Sequence, residues 1–234
     1  LAAGLMNQST AQVVDGSLKF KSGNSTQLTR TPSSADNQKT WSWSAWVKRS
    51  KLGGYQSLFA DQVSGGTDGA AIYFNTGDDT IIFEEYTSGG IQWELQTSQV
   101  FRDCNAWFHL VVVFNSPAST ANERMRIYVN GSEVTDFAVR TNPSQNFDGS
   151  LNRARITDIA SYGSFDTSHF NGYLADVQFV DGQALGPDSF GFTDPLTNTW
   201  KPKKFDIRAQ LAKNPNNGTT WSNSLTTNAG DNFD

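Results

Sequence analysis

RMRIYVNGSEVTDFAV (124–139) joins two alternating runs through Asn130-Gly131. Alternation with a period of two sends successive side chains to opposite faces of a strand. Met125, Ile127 and Val129 share one face, and Arg124, Arg126 and Tyr128 share the other. An Asn-Gly pair between such runs is the signature of a type I′ turn, which needs positive φ at both central residues. The stretch predicts an antiparallel hairpin.

The same period continues on both sides of it. WSWSAWVKR (41–49) puts Trp41, Trp43, Ala45 and Val47 on one face, so its tryptophans read as core. AAIYFN (70–75), TIIFEEY (80–86) and GIQWELQT (90–97) follow as a meander, with Asp78-Asp79 and TSGG (87–90) as turns. FHLVVVFN (108–115) is apolar on both faces, which predicts a central strand whose outer face lies under a loop or a partner. RARITDIAS (153–161) and GYLADVQFV (172–180) read as further strands, the second with Tyr173, Ala175, Val177 and Phe179 inward. ALGPDSFG (184–191) breaks the alternation and has room for one helical turn. No stretch keeps a helical period over three turns. The fold class expected is all-β, a two-sheet antiparallel sandwich.

Composition agrees with that reading. Of 234 residues, 16 are Phe and 7 are Trp, enough large side chains for a sizeable core. Only 18% are charged and the net charge is −5, so nucleic acid is not an expected partner. The basic KPKK (201–204) reads as a solvated connector. One cysteine, Cys104, excludes an internal disulfide. No apolar run reaches membrane-spanning length, so membrane insertion is not expected. The chain begins LAAGLM without Met and ends TTNAGDNFD, which reads as a processed chain or a piece of a longer one. The expected organisation is an N-terminal segment (1–12), a sandwich (13–192) and a C-terminal arm or further module (193–234), with Trp200, Phe205 and Trp221 as anchors.

Four segments together resemble the laminin-G-like branch of the concanavalin A-like lectin/glucanase superfamily. They are SLKFKSGNSTQLTRT (17–31) as an opening strand pair, WSWSAWVKR, the Trp-His strand WFHLVVVFN followed by RMRIYVNGSEV, and FNGYLADVQFVDGQAL (170–185) as the closing strand. The resemblance implies a jelly roll, the binding of glycans or proteins, and in some relatives calcium. VQFVDGQALGPDSFGFTDPLTNTWKPKKF (177–205) is also similar to a stretch in tail-fibre and virion appendage proteins of marine bacteriophages. That likeness implies an extracellular, virion-surface protein that binds a host-surface glycan or receptor. It also implies contacts with other virion proteins and a homo-oligomer, preferably a trimer. A structural virion protein without glycan binding and a secreted bacterial carbohydrate-binding module are the alternatives.

The candidate sites follow from chemistry. Glycosidases need two carboxylates flanking the scissile bond. Glu84 and Glu85 are adjacent and point to opposite faces, and Glu94 has no acidic partner in its own strand, so these read as solvated strand residues and no catalytic residues are assigned. His109 sits in an apolar strand and reads as structural; His169 lies in a turn. Clustered oxygens bind calcium. Asp61, Asp78 and Asp79, with Asp68, stand in turns near strand ends and are the metal candidates, although turn aspartates also bond their own backbone. Sugar rings need aromatic faces beside amides and carboxylates. Tyr55, Tyr86, Gln92, Glu94 and Tyr162 are the glycan candidates, with Gln96 on the same polar strand face; exposed tyrosines and polar strand faces are also ordinary where they meet water.

Overall fold

The computed structural model describes residues 12–61, 68–162 and 168–205. The strands in chain order are β1 (Leu18–Phe20), β2 (Leu28–Arg30), β3 (Thr40–Arg49), β4 (Gln56–Asp61) and β5 (Gly69–Phe74). Next come β6 (Thr80–Thr87), β7 (Gly90–Val100), β8 (Phe108–Asn115), β9 (Met125–Val129) and β10 (Ser132–Glu133). The last five are β11 (Phe137–Thr141), β12 (Thr157–Ile159), β13 (Gly172–Asp181), β14 (Gly191–Thr193) and β15 (Trp200–Pro202). Six of them form one sheet in the order β1-β13-β3-β8-β9-β10, and seven form the other in the order β11-β7-β6-β5-β4-β12-β2. Among the described residues the strands of both sheets pair antiparallel, and the two sheets make a jelly-roll sandwich.

Alternation decides what lies between the sheets. Trp41, Trp43, Ala45 and Val47 of β3 face Phe74, Phe83, Trp93 and Leu95 across one aromatic core. Trp41 stacks on Phe114 at 5.6 Å and meets Phe83 edge-on at 5.5 Å, geometries that suit the ring quadrupoles. The Asn130-Gly131 turn has φ of 48° and 83°, as a type I′ hairpin requires. No helix among the described residues is long and apolar enough to cross a membrane.

The doubly apolar β8 does have a covered outer face. Val111 and Val113 lie with Tyr128, Val180 and Phe190 in a second cluster, closed by Ala184, Leu185 and Phe205. The 184–191 segment contains a single 3-10 turn, Pro187–Ser189. Ser42, pointing outward from β3, pins this roof by donating to the Gln183 carbonyl and accepting from the Leu185 N–H, both at 2.7 Å. Residues 193–205 are therefore packed against the sandwich. Lys201 and Pro202 belong to β15, so KPKK is not a solvated connector. Trp200 and Phe205 do act as anchors: Trp200 Nε1 donates to His109 Nδ1 at 3.0 Å, and Phe205 stacks on Phe190 at 5.3 Å. Trp221 lies outside the described residues.

Three local expectations need correction. In β13 the register slips between Ala175 and Gln178, with Asp176 at φ 49°. This bulge inserts one residue and reverses the alternation. Leu174 and, beyond the bulge, Val177 and Phe179 meet the core, while Tyr173 and Ala175 face outward. β1 and β2 do not pair with each other: β1 joins β13, and β2 joins β12 in the opposite sheet. Of residues 153–161 only Thr157–Ile159 is a strand.

Candidate functional site

The outer face of the seven-stranded sheet carries a continuous cross-strand row. Strand register aligns Thr29, Asp158, Ala60, Ala71, Glu84, Glu94 and Thr141 from one edge to the other. Cross-strand neighbours on one face lie within side-chain reach, about 5 Å between Cβ atoms. Glu84 and Glu94 are therefore direct neighbours although they sit on different strands. In the parallel row on the same face, Ser57 pairs with Tyr73, and Tyr73 with Ile82, which opposes Gln96.

Tyr73 organises this face. Its hydroxyl donates to Glu84 Oε1 at 2.9 Å, and its ring lies 5.5 Å from that of Tyr55, tilted by 52°. Burial first, then the Glu84 charge, holds the Tyr73 hydroxyl protonated far above its usual range. Burial pushes the Glu84 carboxyl upward against the Tyr73 hydrogen bond, and Glu94 adds to the rise. Burial raises Glu94 too. Gln96 Nε2 donates to Asp78 Oδ2 at 3.0 Å and Thr80 Oγ1 at 3.1 Å, which fixes its carboxamide at the rim of this face.

The glycan candidates read from the sequence all belong to this sheet or its loops. Tyr55 precedes β4 and is 48% exposed beside Tyr73. Glu94 stands in the row itself. Tyr86 pairs with Gly69 and Ile91 nearer the β6–β7 turn and is 43% exposed. Gln92 is turned to that hairpin, donating to Thr87 Oγ1 and the Gly90 carbonyl. Tyr162 covers Gly69, where a Cβ would come within 2.6 Å of the tyrosine hydroxyl; burial pushes that hydroxyl up to about 12. Tyr73 and Glu84 complete the set. The signal for Tyr73 was the outward alternation of β5; its pairing with Glu84 depends on register.

The turn carboxylates are dispersed and engaged. Asp78 accepts from Asn75, Thr80 and Gln96, and the Thr80 hydroxyl leads in lowering its pKa. Asp79 accepts from the fully buried Arg49 at 2.9 Å, from the Gly53 N–H at 2.9 Å and from Arg102 at 3.3 Å. Arg49 also donates to the Phe101 carbonyl and lies 4.1 Å from the Phe74 ring centroid. Asp79 thus serves as the counter-charge of a buried arginine. Asp61 is inside the sandwich, with Ala70 N–H and the Ser150 hydroxyl on Oδ1 and Arg155 3.2 Å from Oδ2. Among the described residues no group of three or more His, Cys, Asp or Glu is placed to hold a metal. Glu85 is not a solvated strand residue: it is 2% exposed, held by the Ser150 N–H, and raised to about 7 by burial.

The architecture and this face can now be set beside known proteins. The family described as Concanavalin A-like lectin/glucanases superfamily, in its laminin G form, matches residues 21–189. The chain belongs to this superfamily. Domains LG4-5 of the mouse laminin alpha1 chain share its fold with a TM-score of 0.53 at 13% identity, covering 81% of this chain and 46% of that one. The chain therefore spans less than half of that fragment. Domain 4 of AbnA, an arabinanase from Geobacillus stearothermophilus in complex with arabinotriose, gives a TM-score of 0.47 at 15% identity over 74% of this chain and 84% of that one. The CBM40 of Ruminococcus gnavus IT-sialidase, bound to α2,3-sialyllactose, gives 0.48 at 13% over 70% and 95%. No curated protein matches the sequence. Likeness at such identities describes a fold, and function has to be argued from the site.

Proposed function

We propose that the domain is a non-catalytic glycan-recognition module that binds sugar through the outer face of its seven-stranded sheet. One observation carries this: the Tyr55–Tyr73 ring pair stands beside the Glu84–Glu94 carboxylates on one sheet face. The rings offer faces for the C–H side of a pyranose, and the carboxylates accept from its hydroxyls. The setting belongs to the same proposal. The similarity of residues 177–205 to phage appendage proteins supports a virion-surface module that attaches to a host-surface glycan or receptor, as a homo-oligomer and preferably a trimer. A glycan array probed with the full chain, wild type beside Glu94→Gln, tests the binding; the variant should lose most of the signal. Silence of the wild type on every host-surface glycan would sink the proposal. Native mass spectrometry and proteomics of purified virions test the setting.

The cross-strand carboxylates also favour a second reading, glycoside hydrolysis, because two acids on one face are its minimum equipment. Burial keeps both above the usual range, and Glu84 is tied to Tyr73. Release of reducing ends from polysaccharide by wild type, abolished in both Glu84→Gln and Glu94→Gln, would replace the binding proposal with this one.

A further inference from the structure

The opposite face of the sandwich carries a groove that the strap of residues 184–205 leaves uncovered. It holds about 510 Å³ and is lined by Trp46, Trp107, Ala175, Pro202 and residues 14–17, within the size range of small-ligand pockets. Trp46 points outward from β3, between the inward Ala45 and Val47, and Ala175 is its register partner on β13. The bulge at Asp176 is what turns Ala175 and Tyr173 to this side. Trp107 leaves 38% of its surface in solvent, with its ring centroid 6.3 Å from that of Tyr173. An exposed indole beside a concave surface offers a flat apolar face to a ring-shaped ligand.

Two lysines stand beside the lining of this groove. Tyr173 stands in register between Lys19 on β1 and Lys48 on β3. Lys19 Nζ lies 5.3 Å from the Tyr173 ring centroid. One ammonium group therefore lies against the Tyr173 ring, and a second lysine is that residue's register neighbour on the other side, close to the exposed indole. Asp15 is the single acid in the lining. The row of the seven-stranded sheet that holds Glu84 and Glu94 contains, by contrast, no lysine or arginine.

We infer that the Trp46–Trp107 groove is a second saccharide site, for a sugar bearing a carboxylate or a sulfate. The indoles take the apolar face of the pyranose ring. Lys48 and Lys19 take the anionic substituent, and Asp15 accepts from a hydroxyl. The inference does not depend on the seven-stranded sheet binding anything.

The test titrates the full chain with α2,3-sialyllactose, a sulfated heparin tetrasaccharide and neutral lactose, following the Trp107 indole N–H by NMR. One or both anionic probes should move that resonance, and whichever does identifies the substituent. Lactose should bind at least tenfold more weakly. Trp107→Ala should abolish binding. In the Lys19→Ala/Lys48→Ala pair neither lysine is buried; the double change should weaken binding by tenfold or more and remove its dependence on salt. Glu94→Gln should leave this binding unchanged, so failure here and failure of the proposed function are told apart. A Trp107 resonance unmoved by both anionic probes overturns the inference. Equal binding of lactose, or loss of binding in Glu94→Gln, does the same.

Discussion

The two outer faces of the sandwich are built from strands of similar length but opposite outward chemistry. On the six-stranded sheet, β8 and β9 present Val111, Val113 and Tyr128 outward, and the chain spends residues 184–205 covering them. On the seven-stranded sheet, β6 and β7 present Glu84, Glu94 and Gln96 outward, all only partly buried. Apolar outward residues demand a roof, because leaving them in water forfeits about 25 cal/mol per Å². Polar ones can be left in water, and around Glu84, Glu94 and Gln96 this face is only partly covered, although Asp158, Ala60 and Ala71 of the same row are buried. The difference teaches that the outward half of each alternation, which does not shape the core, decides which face is roofed and which is left to solvent. The second groove fits the same rule: it lies where the outward residues of β3 change from Ser42 and Ser44, which bond the roof and His109, to Trp46 and Lys48.

The comparison breaks most visibly at Phe190. This side chain is fully buried in the roof and stacked on Phe205. Phe190→Ala should cost about 3–5 kcal/mol, the usual range for a buried aromatic, read by urea unfolding. A cost under 1 kcal/mol would mean that the roof is an ornament to a sandwich complete without it.

A second difference lies in the buried titratable groups. Behind the seven-stranded sheet Glu85 is raised from 4.5 to about 7, first by burial and then by Asp61, against the Ser150 N–H. The folded state therefore holds this proton more tightly than the unfolded chain does. Its stabilising contribution is complete below about pH 4.5 and is lost as pH rises through about 7. Under the roof His109 is depressed from 6.5 to about 4 by burial. Trp200 can only donate, so Nδ1 accepts and Nε2 carries the proton toward Ser44. Its contribution has the opposite sign: present above pH 6.5 and lost as pH falls through about 4. Asp61 and Asp181 are raised by burial as well and act with Glu85. Wild type should gain stability from pH 8 to pH 5, and Glu85→Gln should remove on the order of 2–3 kcal/mol of that gain. Thermal melts across that range check it; an unchanged slope in the variant would show that Glu85 does not set it.

The sequence made the core legible and the rows across the sheets illegible, for a physical reason. Trp41, Trp43, Ala45 and Val47 share a face because alternation within a strand is local, and Asn130-Gly131 marks its turn because the φ requirement is local. The bulge at Asp176 carries no glycine to announce it, so alternation alone puts Tyr173 inward, whereas it faces out. Glu94 is legible in its own strand, whereas its neighbour Glu84 comes from the strand before and becomes a neighbour only through register. Asp79 reads as an open ligand in the sequence because its arginine partners lie 30 and 23 residues away.

On the open face, Tyr55→Ala separates binding from folding. The ring is half exposed and touches Tyr73 at the surface. Its removal should lower glycan affinity about tenfold, about 1.4 kcal/mol, on whichever saccharide the array identifies. Stability should stay within about 0.5 kcal/mol of wild type, as for most surface substitutions. A large stability loss with unchanged affinity would make Tyr55 part of the packing and remove it from the site.

Tyr73→Phe is the smallest change and the sharpest probe of the carboxylate pair. It keeps the ring beside Tyr55 and deletes only the hydroxyl that donates to Glu84. Losing one hydrogen bond to a charged acceptor should cost about 1 kcal/mol or somewhat more. Because that bond favours the ionised carboxylate, Glu84 should titrate at higher pH in the variant, and Glu94, relieved of part of its neighbour's negative charge, should move the other way. Carbon-detected NMR of the two side-chain carboxyls reads both. If Glu84 does not move, the hydroxyl is not what holds the pair in its acceptor state. The face would then owe its ionisation to solvent, and the roofed and open sides would differ in burial alone.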